Sequence, residues 1–250
     1  MDTRTRLEAL LRSRIAVLDG AWGVLLQGRG LTEEQFRGER FAAHDRDVLG
    51  DPDLLNVTQP AVVAEVHDAY FAAGADIATT NTFTATSFGQ RDYGLEDAVL
   101  DMNLAGARLA REAADRAGPE RLVAGSVGPL NVTLSLSPKV DDPGFRAVTF
   151  DEVVEAYAEQ MRALREGGVD MLLIETIFDT LNAKAAIAAA KDAVPDLPLW
   201  ISVTIVDRSG RTLSGQTVEA FWSSIEHADP AIVGINCSLG AAAMRENAST

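Results

Sequence analysis

Cysteine is almost absent from the 250 residues; there is one, Cys237. A single thiol excludes an intrachain disulfide and fits a reducing compartment. Positive charge is also scarce. Lys and Arg number 22 against 37 Asp and Glu, a net charge of −15, which argues against nucleic-acid backbones and anionic membrane surfaces as partners. No apolar run approaches the roughly 20 residues of a membrane-spanning helix. Met1–Arg14 is charged and helical in pattern, without the apolar centre of a secretion signal. A soluble, cytoplasmic protein is the expectation. Histidine is rare too: His67 and His227 fall inside helical patterns and His44 in a charged loop, so all three read as surface or hydrogen-bonded residues rather than ligands.

What remains is ordinary for a globular chain, 47% hydrophobic and 24% charged. Apolar runs occur at Ile15–Leu18, Ile77–Thr80, Leu122–Gly125, Val169–Ile174, Leu199–Thr204 and Ile232–Ile235. They are short and apolar throughout, as strands buried on both faces of a parallel sheet are. Helical patterns lie between them. Val63, Val66, Tyr70 and Ala73 share one face, as do Val153, Tyr157, Met161 and Leu164. Pro60 suits a first helical turn, Thr149 and Glu152 have capping-box spacing, and Gly74 and Gly167-Gly168 suit helix ends. Strand and helix alternate, and no Pro/Gly/Ser linker divides them. The expectation is one α/β domain over residues 1–250, a (β/α)8 TIM barrel with about six of its eight βα units present. The long loop from Gly28 to Gln59 accounts for the low unit count, and Ala241–Thr250 reads as the start of a sixth helix. A doubly wound sheet is the alternative, but Asp19-Gly20-Ala21-Trp22-Gly23 has the wrong spacing for its dinucleotide fingerprint.

In β/α barrels the active site lies at the C-terminal ends of the strands. The six runs end in Asp19-Gly20, Thr80-Asn81-Thr82, Ser126 with Gly128-Pro129, Glu175-Thr176, Ser202 with Thr204, and Asn236-Cys237. All six turn from apolar to polar or small at the same end, which describes a polar floor around a pocket. Asp19 and Glu175 are its carboxylates. They would hold a cationic amine between them or act as acid and base; alternatively each caps the segment after it. The turn from Gly20 to Gly23 would aim backbone N–H groups at an anion, or is simply a tight turn. Asn81 joins this floor, and Trp22 and Phe83 either line the pocket or pack. Cys237 reads as a small buried hydrophobe or as a soft metal ligand.

The strand ends carry a family resemblance. The stretches Val17–Gly23 (VLDGAWG), Gly74–Phe83 (GADIATTNTF), Leu134–Pro138 (LSLSP), Asp142–Arg146 (DPGFR), Asp170–Ala186 (DMLLIETIFDTLNAKAA), Ser209–Thr217 (SGRTLSGQT) and Gly234–Gly240 (GINCSLG) resemble the N-terminal homocysteine-binding module of cobalamin-dependent methionine synthase. The similarity runs from about Arg14 to the end of the chain. ETIFDTLNAKAA and SGRTLSGQT point to methionine synthase within the wider group of homocysteine methyltransferases.

The resemblance implies a (β/α)8 barrel whose zinc is held by three thiolates, one of them Cys237, which is thereby the expected catalytic and metal residue. The other two would form a Cys-Cys pair that lies beyond Thr250. It implies that Asp19 and Glu175 take the homocysteine amine and that Gly20 and Ala21 take its carboxylate; Asn81 is added as a substrate-binding candidate. The implied chemistry is transfer of a methyl group to the zinc-bound homocysteine sulfur from methylcobalamin, and originally from methyltetrahydrofolate. Folate- and cobalamin-binding modules of the same or a partner chain would therefore be its partners. Two alternatives stand beside it: a cobalamin-independent homocysteine S-methyltransferase using S-methylmethionine or betaine, and a non-catalytic truncated barrel. Trp22 departs from the family, which commonly has methionine there.

Overall fold

A computed structural model describes residues 2–206, 209–240, 242, 244 and 245. Five of the six apolar runs form strands: β1 Ile77–Thr79, β2 Leu122–Val127, β3 Met171–Ile177, β4 Leu199–Val203 and β5 Ile232–Ile235. Neighbours pair in parallel in the order β1-β2-β3-β4-β5. A doubly wound sheet reverses its order at a switch point, whereas a barrel adds each strand beside the last. The sequential order excludes the doubly wound alternative, and the curled sheet is part of a barrel.

The sixth run, Ile15–Leu18, corrects the expectation of a first strand. It makes one parallel bridge, Leu18 to Ile77, with Asp19 N–H donating to Ile77 O at 2.9 Å and Asp76 N–H to Val17 O at 2.7 Å. It lies at the sheet edge, and Ile15 is 89% exposed. Among the described residues nothing pairs with its far side, so the segment is held at one point rather than along a ladder.

Each strand presents alternate residues to opposite faces. Val123, Leu172, Ile174, Ile201 and Val203 pack outward in a core with the helices. Ile77, Leu122, Ala124, Met171 and Leu173 pack on the inner face, with Leu18, Trp200 and Ile232 beside them. The helices on the outer side are Pro60–Ala72, Val99–Ala117, Phe150–Gly167, Thr180–Ala193 and Val218–Ile225. Local signals set their ends as the sequence suggests. Pro60 occupies the first turn, both bonds of the Thr149/Glu152 capping box form, and Gly168 closes its helix in the left-handed conformation. Gly74 has φ +107°, open to glycine at no steric cost. The helix expected over Ala241–Thr250 lies mostly outside the described residues.

The charged N-terminal segment forms a helix, Thr3–Ser13, across the N-terminal ends of the strands. Leu7, 1% exposed, seals the inner face from below. Arg14 pairs with Asp76 before β1, Arg6 reaches Asp170 before β3 at 3.2 Å, and Arg4 reaches Asp229 before β5 at 2.7 Å. The helix thus covers part of the bottom of the sheet, and the polar part of the inner face lies at the top.

Candidate active site

On the inner face the residue type changes along every strand. Ile77 gives way to Thr79, Ala124 to Ser126, Leu173 to Glu175, Trp200 to Ser202 and Gly234 to Asn236. The two-residue period of a strand places these polar groups in one layer at the C-terminal ends.

Asp19 opens this layer. Its carboxylate accepts from Thr79 N–H at 2.8 Å, from Thr79 Oγ1 at 3.1 Å and from Trp22 Nε1 at 3.3 Å. It does not cap the turn that follows, because the helix Trp22–Gln27 has no side-chain cap. Burial raises its pKa to about 7, partly offset by these donors, and the charge of Glu175 raises it further. Glu175 accepts from Ser126 Oγ at 2.8 Å and from Asn236 Nδ2 at 2.8 Å, and burial raises its pKa as well. It is no cap either; that role falls to Asp179, which accepts from Leu181 N–H at 2.8 Å.

The backbone of β3 explains why Glu175 points inward at the right height. The register with β4 shifts between Ile174 and Ile177, and Thr176 has φ +58°. This bulge inserts one extra residue. Ile174 and Ile177 therefore both face the helices, while Glu175 stays on the inner side. Thr176 is held in its left-handed conformation by Asn236, whose Oδ1 accepts from Thr176 N–H at 2.9 Å and whose Nδ2 donates to Thr176 Oγ1 at 2.8 Å. Ser202 Oγ donates to the same Oδ1 at 2.8 Å.

Cys237 follows directly. Its side chain is exposed, its φ is +48°, its carbonyl accepts from Thr204 Oγ1 at 2.8 Å, and Asn236 Nδ2 stands 3.6 Å from Sγ. The single thiol is therefore not a buried hydrophobe. The structure brings Asp19, Glu175 and Cys237 to one end of the sheet. Among the described residues, Gly20 and Ala21 have no backbone partner for their N–H groups, and both are exposed beside Asp19. The Nδ2 of Asn81 donates to Pro52 O at 2.6 Å and to Asn56 Oδ1 at 3.1 Å. It fixes the 50–59 loop under the strand ends.

Thr79, Ser126, Ser202 and Asn236 complete the layer; the run ends mark Ser126, Ser202 and Asn236 in the sequence, whereas Thr79 lies one residue before the run end read there. The period-two pattern within each run carries the signal once one inward residue is known. Gly128 lets the ends of β1 and β2 approach, because a Cβ there would sit 2.3 Å from Phe83 O. His67 also departs from expectation. It is fully buried, neither ring nitrogen has a partner, and it packs edge-on against Trp22 at 4.6 Å. Burial lowers its pKa to about 3, so it is neutral. A cleft of about 670 Å³ opens at the opposite end of the sheet, around Arg4, Asp170, Lys191 and Asp229. Arg4, Asp170 and Asp229 are already in ion pairs.

No group of three His, Cys, Asp or Glu side chains converges on a metal position among the described residues. No helix among them is long and apolar enough to cross a membrane.

Residues 16–249 match the family model described as homocysteine S-methyltransferase. Among solved structures, the metallated form of the homocysteine methyltransferase MmuM from Escherichia coli aligns with a TM-score of 0.72 at 26% identity, covering 93% of this chain and 78% of that one. The oxidized form aligns at 0.71 and 26%, covering 93% and 77%.

Proposed function

The chain belongs to the homocysteine S-methyltransferase family, and on that premise we propose that it binds homocysteine at the C-terminal ends of its strands for methyl transfer to sulfur, giving methionine. The observation that carries this is the pair Asp19 and Glu175 at the same end of the sheet, each raised in pKa by burial and the first raised further by the second. Two half-buried like charges oppose each other until a cation sits between them. An ammonium group fits that need. The N–H groups of Gly20 and Ala21, which have no backbone partner, would take a carboxylate beside it. Together they suit the head of an α-amino acid, with its side chain reaching towards Cys237. Asn81 would act by holding the floor of the pocket rather than by touching the ligand.

The metal of the related metallated enzyme suggests a metal here, and zinc is the proposal. Cys237 is a ligand of the right softness in an exposed position, but it is the one cysteine in the sequence. A tetrahedral zinc takes three or four protein ligands, so the residues present do not make a complete site. The two further thiolates would have to come from outside these 250 residues. Zinc, when bound, would keep the homocysteine sulfur as thiolate near neutral pH.

For the methyl donor, ETIFDTLNAKAA and SGRTLSGQT favour methylcobalamin, reloaded from methyltetrahydrofolate on folate- and cobalamin-binding partner modules. The similarity to MmuM over 78% of that enzyme favours a second reading, in which a small sulfonium or ammonium donor such as S-methylmethionine or betaine is used directly. Methionine formation from L-homocysteine and zinc, assayed with each donor in turn, separates the two. In a protein that also carries the two further thiolates, formation with methylcobalamin alone, lost in Cys237→Ala, is the expected result; these 250 residues by themselves are expected to be inactive. Undiminished turnover by Cys237→Ala would contradict the role given to that thiol. Homocysteine binding without turnover by any donor would identify a substrate-holding module.

A further inference from the structure

We infer that Trp22, braced by the buried imidazole of His67, is a positioning residue that fixes the Asp19 carboxylate and leaves its Oδ1 for the substrate amine. This role rests on the homocysteine reading above for the identity of the amine. The segment before Asp19 makes a single bridge to β1, Leu18 to Ile77, so a backbone ladder does not fix the carboxylate and side chains must. Asp19 Oδ2 accepts from Thr79 N–H at 2.8 Å and from Trp22 Nε1 at 3.3 Å. Thr79 Oγ1 stands 3.1 Å from both carboxylate oxygens and 3.2 Å from Trp22 Nε1. A hydroxyl carries one proton. With its lone pair turned to the indole N–H, that proton is directed at Asp19. Trp22 therefore acts on the carboxylate twice, directly and through Thr79. Oδ2 is taken by the amide and the indole, whereas Oδ1 has only its share of the Thr79 hydroxyl and keeps acceptor capacity for a ligand.

The brace comes from one helix, Pro60–Ala72. His67 and Tyr70 are three residues apart and so share a face. Between them they hold the whole turn after Asp19. Tyr70 Oη donates to Ala21 O at 3.1 Å, and a Cβ at Gly20 would meet the same Oη at 3.0 Å. The His67 ring lies 4.6 Å from that of Trp22 at an interplanar angle of 72°. His67 is fully buried and neither ring nitrogen has a partner. A buried polar ring without hydrogen bonds costs stability, and its edge-on contact is with the indole. Burial also keeps it neutral, with a pKa of about 3, so the brace adds no charge beside Asp19. Asp68 and Arg116 act on His67 with opposite signs and pair with each other. The titratable groups that act electrostatically with Asp19 are Glu175 on β3 and the Tyr70 hydroxyl. Against the charge of Glu175, the indole N–H favours the ionised carboxylate, the form that holds an amine.

The test is the NMR titration of the Asp19 carboxyl group in the ligand-free protein, its resonance identified by its loss in Asp19→Asn. The wild-type midpoint is expected at about 7. Trp22→Phe keeps a ring against His67 and loses the N–H donor. It is expected to move the midpoint up by about half a pH unit or more, because the lost donor favoured the ionised form. His67→Ala, which removes the brace, is expected to move it in the same direction, and His67→Phe, which restores a ring, to bring it back. A role in packing alone would lower Tm in these variants and leave the midpoint in place. Calorimetry at pH 7 with zinc present supplies the second readout. Trp22→Phe is expected to weaken L-homocysteine about threefold or more and to leave the same thiol acid without its amino group unchanged. A midpoint unmoved in Trp22→Phe overturns the positioning role whatever the protein binds, and so does equal weakening of the two compounds. A moved midpoint in a protein whose wild type binds the two compounds equally upholds the grip of Trp22 on Asp19 and contradicts the homocysteine reading.

Discussion

Asp19 owes its chemistry to its surroundings. An aspartate in water is ionised at neutral pH, but here burial and Glu175 hold its pKa at about 7. A folded-state pKa raised above the unfolded value stabilises the fold fully below the unfolded pKa, and this contribution is lost as pH rises through about 7. Ligand binding has the opposite sign, because an amine is held by the ionised form. Homocysteine affinity is expected to rise between pH 6 and 8, and Asp19→Asn to flatten that profile while raising stability at pH 8; calorimetric titration and melts at both pH values check this. Glu175→Ala strands the Ser126 hydroxyl and the Asn236 amide, which is expected to cost about 1–3 kcal/mol in denaturant melts. The sequence made Asp19, Glu175 and Cys237 legible because each stands where an apolar run turns polar. Ser126, Ser202 and Asn236 were legible as run ends, but their partners were not: Ser126 and Asn236 donate to Glu175, and Ser202 donates to Asn236. Nor was the burial of His67, since a helical pattern does not reveal which neighbours exclude water.

At the scale of elements, the helices were read well from caps and glycines, since those signals act within a few residues. Strands β1 to β5 were also legible, being apolar on both faces. The failure at Ile15–Leu18 is instructive: its composition is that of a strand, but a ladder needs a neighbour, and composition does not supply one. The bulge at Glu175-Thr176 was equally hidden, for it exists only relative to the register of β4. The N-terminal helix closes the sheet through one buried residue. Leu7→Ala is expected to cost about 2–4 kcal/mol, against less than about 1 kcal/mol for the exposed Leu11→Ala on the same helix. Urea unfolding of the two variants makes the comparison.

For the whole molecule, sequential parallel order defines a partial barrel, with a polar layer at the C-terminal ends of its strands. The inner face near the bridged edge remains apolar. A cavity of about 530 Å³ is lined there by Leu11, Ile15, Leu18, Ile77, Trp200 and Ile232. Apolar surface next to an unpaired sheet edge favours association. Light scattering is expected to show mass rising with concentration, and Ile15→Glu to reduce that rise without loss of fold; an unchanged concentration dependence in the variant would place the contact elsewhere.

In the proposed function Asp19 and Glu175 grip the amine of homocysteine. The most direct measurement compares, by calorimetry at pH 8 with zinc present, the affinity of L-homocysteine with that of the same thiol acid lacking the amino group. At least tenfold tighter binding of homocysteine is expected, a preference lost when Asp19→Asn and Glu175→Gln are combined. Equal affinity for the two compounds, or a preference that survives both substitutions, would contradict it.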